Sequence, residues 1–257
     1  MDSIVLICED SIEGIFTAVY ESYCMKLEHE NSRIQIGEEG NLRLFSTCHT
    51  IIPDQEKAVR VIKTLITRFG QEVYYTLCQA LSTEDADKGD AVYHTIVHAL
   101  ARRKRFYFMD HLAVPCVMRV FELARYAQNE IQHLKGFLRF QELENGLLFA
   151  RIGPNNNIVT FLAPHFSDRY PNENFVIYDE NRRIFVLHPV RKQWSVVTGE
   201  SIDEEMTKQF SKKEKEYQEL FRYFCDRIAI KERKNPGLQR QMLPIRFQEY
   251  MVEFDKK

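Results

Sequence analysis

The six cysteines, at positions 8, 24, 48, 78, 116 and 225, include no Cys-x-x-Cys pair. That spacing excludes a zinc ribbon, an iron–sulfur ligand set and a disulfide framework. It implies reduced, mostly buried thiols in a cytoplasmic protein. Long apolar runs are also missing. The first ten residues, MDSIVLICED, are acidic and carry too short an apolar run for a signal peptide or membrane span. Glycine is sparse, and Gly153 and Gly199 stand isolated. There is no Gly-rich phosphate loop, no Gly-x-Ser-x-Gly elbow and no Ser/His/Asp or Cys/His signature. A nucleotide-dependent motor and a dinucleotide enzyme therefore find no support. Charge of one sign is lacking too. The formal net charge is −2, so any nucleic-acid contact must come from a local basic surface.

What is present is an ordinary globular composition, 44% hydrophobic and 28% charged over 257 residues, enough to bury a core without metal or disulfide. Ser3–Cys8 reads as a buried strand, and Ser11 as the N-cap of a helix carrying Ile15, Val19 and Tyr23. Residues 33–53 read as loop with short strands. Pro53 opens a helix with Ala58, Val61, Ile62, Leu65, Ile66 and Phe69 on its apolar stripe, stopped by Gly70. Helices follow over 71–81 and 86–104, and from Pro115 to near Gly136. The texture then turns to strands: 137–143 and 147–152 flank Asn145-Gly146, a type I′ hairpin signal. A short helix over 158–167 and strands over 175–178, 184–187 and 194–197 come next. Ser201 with Glu204 forms a capping box for a long helix whose buried stripe is Tyr217, Leu220, Phe221, Phe224 and Ile228. The expected class is α+β: a mainly helical part over 1–135, then an antiparallel β-layer, a long C-terminal helix and a tail over 136–257.

Several clusters could carry chemistry. His94 and His98 lie one helical turn apart, but Thr95 stands where a zinc protease needs Glu, and only His111 and Cys78 offer themselves as further ligands. No metal site is expected. Arg102-Arg103-Lys104-Arg105 precedes Phe106-Tyr107-Phe108, a pattern suited to phosphate contact and base stacking, and equally to a solvated helix end. His133, Lys135 and Arg139 mark a helix-to-strand junction. His165, Asp168 and Arg169 follow Ala163-Pro164, and Asp179 and Arg182 flank a turn. These supply cations for phosphate, and His and Asp for proton transfer or water activation. Structural salt bridges explain the same residues.

The same residues carry a resemblance to a family. The blocks are Asp10-Ser-Ile-Glu-Gly14 through Tyr23, His133-Leu-Lys-Gly-Phe-Leu-Arg-Phe140, Ala163-Pro-His-Phe-Ser-Asp-Arg-Tyr-Pro171, Ile177-Tyr-Asp179 with Arg182, and Glu232 through Phe247. In this order they resemble the bacterial "probable DNA metabolism protein" family, a domain of unknown function encoded beside a radical-SAM DNA modification/repair protein and sometimes fused to a uracil-DNA-glycosylase-like domain. Cys8-Glu9-Asp10 replaces the family's Tyr-Asp-Gly, and Phe247-Gln248 its Tyr-Trp. The resemblance implies DNA metabolism or repair with the radical-SAM protein as partner, the iron–sulfur cluster and SAM belonging to that partner and no cofactor to this chain. An accessory role would use Lys135, Arg139, Arg169, Arg182, Arg240 and Arg246 on DNA or the partner. A nucleobase- or nucleotide-processing enzyme would use His165 with Asp168 or Asp179 as an acid–base pair. A structural scaffold is the third reading.

Overall fold

The computed structural model describes residues 3–37, 46–101, 110–200, 202 and 205–254. Its contacts divide the chain into two compact units, Met1–Gln128 and Asn129–Lys257. The class is α+β, with a helical N-terminal region, strands in the middle and a C-terminal helix.

In the first unit, β1 (Ser3–Cys8) is followed by α1 (Ile12–Cys24), β2 (Ser32–Ile36) and β3 (Ser46–Thr50). These strands form a parallel sheet ordered β2-β1-β3, with Leu6 opposite both Ile34 and His49. The apolar run of β1 suits a central parallel strand, and α1 supplies the crossover between β1 and β2. Ser11 caps α1 by accepting from the Gly14 N–H at 2.9 Å. Asp54 likewise caps α2 (Gln55–Phe69) through the Lys57 N–H. Gly70, at φ +96°, ends α2 and starts α3 (Gln71–Leu81). Next comes α4 (Lys88–Ala101), and α5 (Pro115–Phe137) crosses the division between the units. The side chains of Leu6, Phe16, Leu65, Leu77, Tyr93 and Ile96 are fully buried in this unit's core.

Only Cys8 and Cys78 are buried, whereas Cys24 and Cys48 are exposed. This corrects the expectation of mostly buried thiols: Cys24 ends α1, and Cys48 lies on an edge strand. Burial, with Asp10 and Glu9 nearby, pushes the Cys8 thiol up to about 12, which leaves it unreactive.

The second unit holds a five-stranded sheet, ordered β4 (Gln141–Glu142), β5 (Leu148–Ile152), β6 (Phe175–Asp179), β7 (Ile184–His188) and β8 (Ser195–Thr198). Three of its pairings are antiparallel, but β5 and β6 run parallel, with Ala150 opposite Ile177. The expected antiparallel layer is corrected at this pair because α6 (Val159–Arg169) forms a crossover between them. The turn at Asn145-Gly146 also differs from the expected type I′. Gly146 has φ +78° and its N–H donates to the Leu143 carbonyl, while Asn145 is not among the residues with positive φ. Leu143 N–H in turn donates to the Leu147 carbonyl, so the hairpin closes through a turn with a glycine bulge.

The final segment comprises α7 (Lys212–Ile228), α8 (Pro236–Met242) and α9 (Ile245–Gln248). Ser201 and Glu204 lie outside the described residues. The helix begins instead at Lys212, where the Ser211 hydroxyl accepts from Glu214 N–H at 3.1 Å. Its expected buried stripe is also corrected: Tyr217, Leu220, Phe224 and Ile228 are exposed. The inward face carries Glu214, Gln218, Phe221 and Cys225, all less exposed and at helical spacing. Among the described residues, no helix is long and apolar enough to cross a membrane.

Candidate functional site

The polar residues of the second unit gather where β5 and β6 end, around the loop Gly153-Pro154-Asn155-Asn156-Asn157. In sheets with parallel strands, this end commonly hosts ligands. Glu130, on α5 and 2% exposed, holds the loop. Its carboxylate accepts from the N–H of Asn155 at 2.9 Å, the N–H of Asn156 at 3.0 Å and the Asn156 amide at 2.7 Å. Arg246 reaches the same carboxylate at 3.2 Å, with its guanidinium over the Phe247 ring.

Asp179, at the end of β6, anchors the turn that follows it. It is fully buried, accepts from the N–H groups of Asn181 and Arg182, and pairs with the Arg182 guanidinium at 3.3 Å. Arg182 donates in turn to the carbonyls of Pro154 and Asn155. Burial raises the Asp179 carboxyl above its ordinary range, opposed chiefly by Arg182. The Asp179 oxygens, expected to activate water, are engaged in this buried position by a turn and an ion pair. Arg182 and Arg246 are likewise committed to internal carboxylates, as is Arg139, whose Nη2 lies 2.8 Å from Glu253.

Gly153 fits the loop because a Cβ there would collide with the Tyr250 hydroxyl, which donates to Glu180. Burial, and then Glu180, raise the Tyr250 hydroxyl's pKa. Gly153→Ala is expected to displace Tyr250 and lower stability by about 1–3 kcal/mol, as overpacking does. Guanidinium unfolding followed by the fluorescence of Trp194, the single tryptophan, reads that loss, and an unchanged midpoint would refute the close packing.

A second group surrounds His165 on α6. The ring is half-buried and packs edge-on against Phe166, with centroids 4.9 Å apart. Its pKa is lowered, first by burial, then by the charges of Lys135 and Arg169, with Asp168 opposing them. The structure thus brings Lys135, His165, Asp168 and Arg169 into one electrostatic neighbourhood. Asp168 and Arg169 are exposed, and Arg169 sits over the Tyr170 ring at 5.8 Å. Among the described residues, no carboxylate lies within ion-pair distance of Lys135, Arg169 or Arg240. Arg240 is exposed and donates to the Pro236 carbonyl.

Sequence reasoning missed Glu130, Asn155, Asn156, Glu180 and Tyr250. Glu130 left a legible signal: it shares a helical face with the buried Ala127, Ile131 and Leu134, and a carboxylate there demands partners. In the first unit, Asp10 pairs with the buried Lys88 at 2.7 Å. His94 lies 3.5 Å from Asp90, and the His98 ring faces that of His111. Among the described residues, no group of three or more His, Cys, Asp or Glu could hold a metal ion. The basic cluster Arg102–Arg105 with Phe106–Phe108 lies outside the described residues.

No curated protein matches the chain. One solved structure, described as the DHH domain of a member of a family of ribosomal proteins, is 9% identical over 73% of each chain, with a TM-score of 0.31. That score is too low to indicate a shared fold. A family model described as a domain of unknown function, DUF4130, matches residues 86–253, well over half of the sequence, and the chain belongs to that family.

Proposed function

We propose that this protein is an accessory factor in DNA metabolism or repair that contacts DNA phosphates through Lys135 and Arg169 and works beside a radical-SAM DNA modification/repair protein. The carrying observation is the contrast among the six candidate cations. Arg139, Arg182 and Arg246 face carboxylates and hold the fold. Lys135 and Arg169 lack such a partner among the described residues and act together on His165. Cations whose charge is not neutralised by the fold are the ones free to replace counterions on a phosphate backbone. The DNA context and the radical-SAM partner rest on the sequence blocks that resemble the DNA metabolism family, and in this reading the iron–sulfur cluster and SAM belong to the partner. The acid–base reading is weakened because Asp179 is buried and the charges of Lys135 and Arg169 outweigh that of Asp168 at His165.

Duplex and single-stranded DNA binding should fall steeply with salt. The double variant Lys135→Ala/Arg169→Ala should weaken binding and make the slope of log affinity against log salt shallower by about 2. His165 adds a pH signature. Its lowered pKa leaves it neutral at neutral pH, so acidification below the ordinary value of 6.5 adds a positive charge to the cluster, and affinity should rise. Fluorescence anisotropy across salt and pH, with and without the radical-SAM protein, measures both effects. Binding that ignores salt, or survives the double variant unchanged, rejects this surface as the DNA contact.

A further inference from the structure

We infer that the second unit also carries a pocket for a single nucleotide, free or within a strand, with Arg151 as its phosphate ligand. This goes beyond the DNA-contact face and uses none of its residues, so it stands or falls independently of that face. Two adjoining cavities of about 230 and 220 Å³ share Arg139, Gln218 and Val252. The first is also lined by Gln141, Phe149, Arg151, Lys208 and Tyr250, and the second adds the aromatic rings of Phe140, Tyr217 and Phe221.

The lining chemistry narrows the ligand. Aromatic faces accept a planar ring by stacking, and sequence-tolerant base binding uses that feature. The Gln141 and Gln218 amides offer both donors and acceptors to a ring edge. Gln218 is oriented by its bond to Glu214 at 2.7 Å. An aliphatic acyl chain would make no use of the Gln141 amide, and a bare metal cation would meet arginines.

Arg151 supplies the anion preference. It projects from β5 between the buried Ala150 and Ile152. Its guanidinium lies 3.4 Å from the Thr207 hydroxyl and 3.6 Å from Glu180. Strong guanidinium–carboxylate pairs close to about 2.7–2.9 Å, so Arg151 is held loosely. The other Glu180 oxygen accepts from the Tyr250 hydroxyl, so that carboxylate is shared. Arg139, by contrast, is held at 2.8 Å by Glu253 and forms part of the wall. Glu249 also lines the first cavity and opposes a phosphate, which gives the proposal a test of opposite sign.

The test is calorimetric titration of the whole 257-residue chain with the four deoxynucleoside monophosphates, a deoxynucleoside, inorganic phosphate and a short single-stranded oligonucleotide. Saturable binding of a monophosphate is expected. It should weaken about tenfold or more in Arg151→Gln, strengthen in Glu249→Gln and stay unchanged in Lys135→Ala/Arg169→Ala. The deoxynucleoside and inorganic phosphate should each bind far more weakly than the monophosphate, and the oligonucleotide arm distinguishes a free nucleotide from one in a strand. Absence of saturable monophosphate binding overturns the proposal. So does binding indifferent to Arg151→Gln, or inorganic phosphate binding as tightly as the nucleotide. If Arg151→Gln loses its folded Trp194 signal, the exposed Lys208→Ala and Glu249→Gln carry the test, and an unchanged affinity in both overturns it.

Discussion

Glu130→Ala is expected to cost about 3–5 kcal/mol of unfolding free energy, because it strands several donors at once, each worth about 1–3 kcal/mol when buried. The carboxylate is 2% exposed and serves two backbone N–H groups, the Asn156 amide and the Arg246 guanidinium. Alanine leaves the N–H groups of Asn155 and Asn156 facing a cavity and removes the counter-charge of Arg246. Such a loss is about a fifth or more of the stability of a typical domain, about 5–15 kcal/mol. Glu130→Gln fills the space but brings a donor to a site made of donors, so its cost should be smaller yet still clear. Trp194 lies in the second unit, and its fluorescence in guanidinium reports unfolding of that unit. A loss below about 1 kcal/mol, the range of ordinary surface changes, would mean that the 153–157 loop is held by something other than Glu130.

The elements most legible in the sequence were those with local instructions. Ser11, Gly70 and Pro115 mark helix boundaries because capping, positive φ and a missing N–H act within one turn. The short apolar runs at 175–178 and 184–187, bounded by polar turns, likewise needed no distant information. The parallel pairing of β5 with β6 was not legible, since a five-residue strand carries no record of the direction of its neighbour. The register of α7 was misread because aromatic residues at 217, 221, 223 and 224 lie on more than one side of the helix. The arginines of the site stood out in the sequence, but their roles did not. The partners of Arg139 and Arg246, Glu253 and Glu130, are far away in the chain, and only the fold distinguishes a cation spent on structure from one left for a ligand. Asp179 and Arg182 were the exception, three residues apart, and their proximity already favoured a structural pair.

That pair yields the second large effect, one that depends on pH. Arg182→Ala should destabilise the protein by about 3–5 kcal/mol at neutral pH, since it leaves Asp179 buried as an unpaired charge. Arg182 is also a donor to the Pro154 and Asn155 carbonyls, so the 153–157 loop loses a second anchor. The sign of the pH dependence follows from burial. The Asp179 carboxyl is raised above its ordinary value of 3.8 in the folded state, so between those two values the folded protein binds the proton that the unfolded chain releases. This group's contribution to stability therefore declines as pH rises from the ordinary value through the raised one. Removing Arg182, the main influence that lowers the Asp179 value, widens that window upward, so the deficit of the variant should shrink on acidification as Asp179 takes up a proton. Asp179→Asn in the Arg182→Ala background should recover part of the loss at neutral pH by removing the stranded charge, but not all of it, because the bonds to the loop carbonyls remain broken. A double-mutant cycle measured at neutral and acidic pH separates the two contributions. A deficit equal at both pH values, with no recovery from Asp179→Asn, would mean that Arg182 acts only through the loop and that the buried carboxylate does not depend on it.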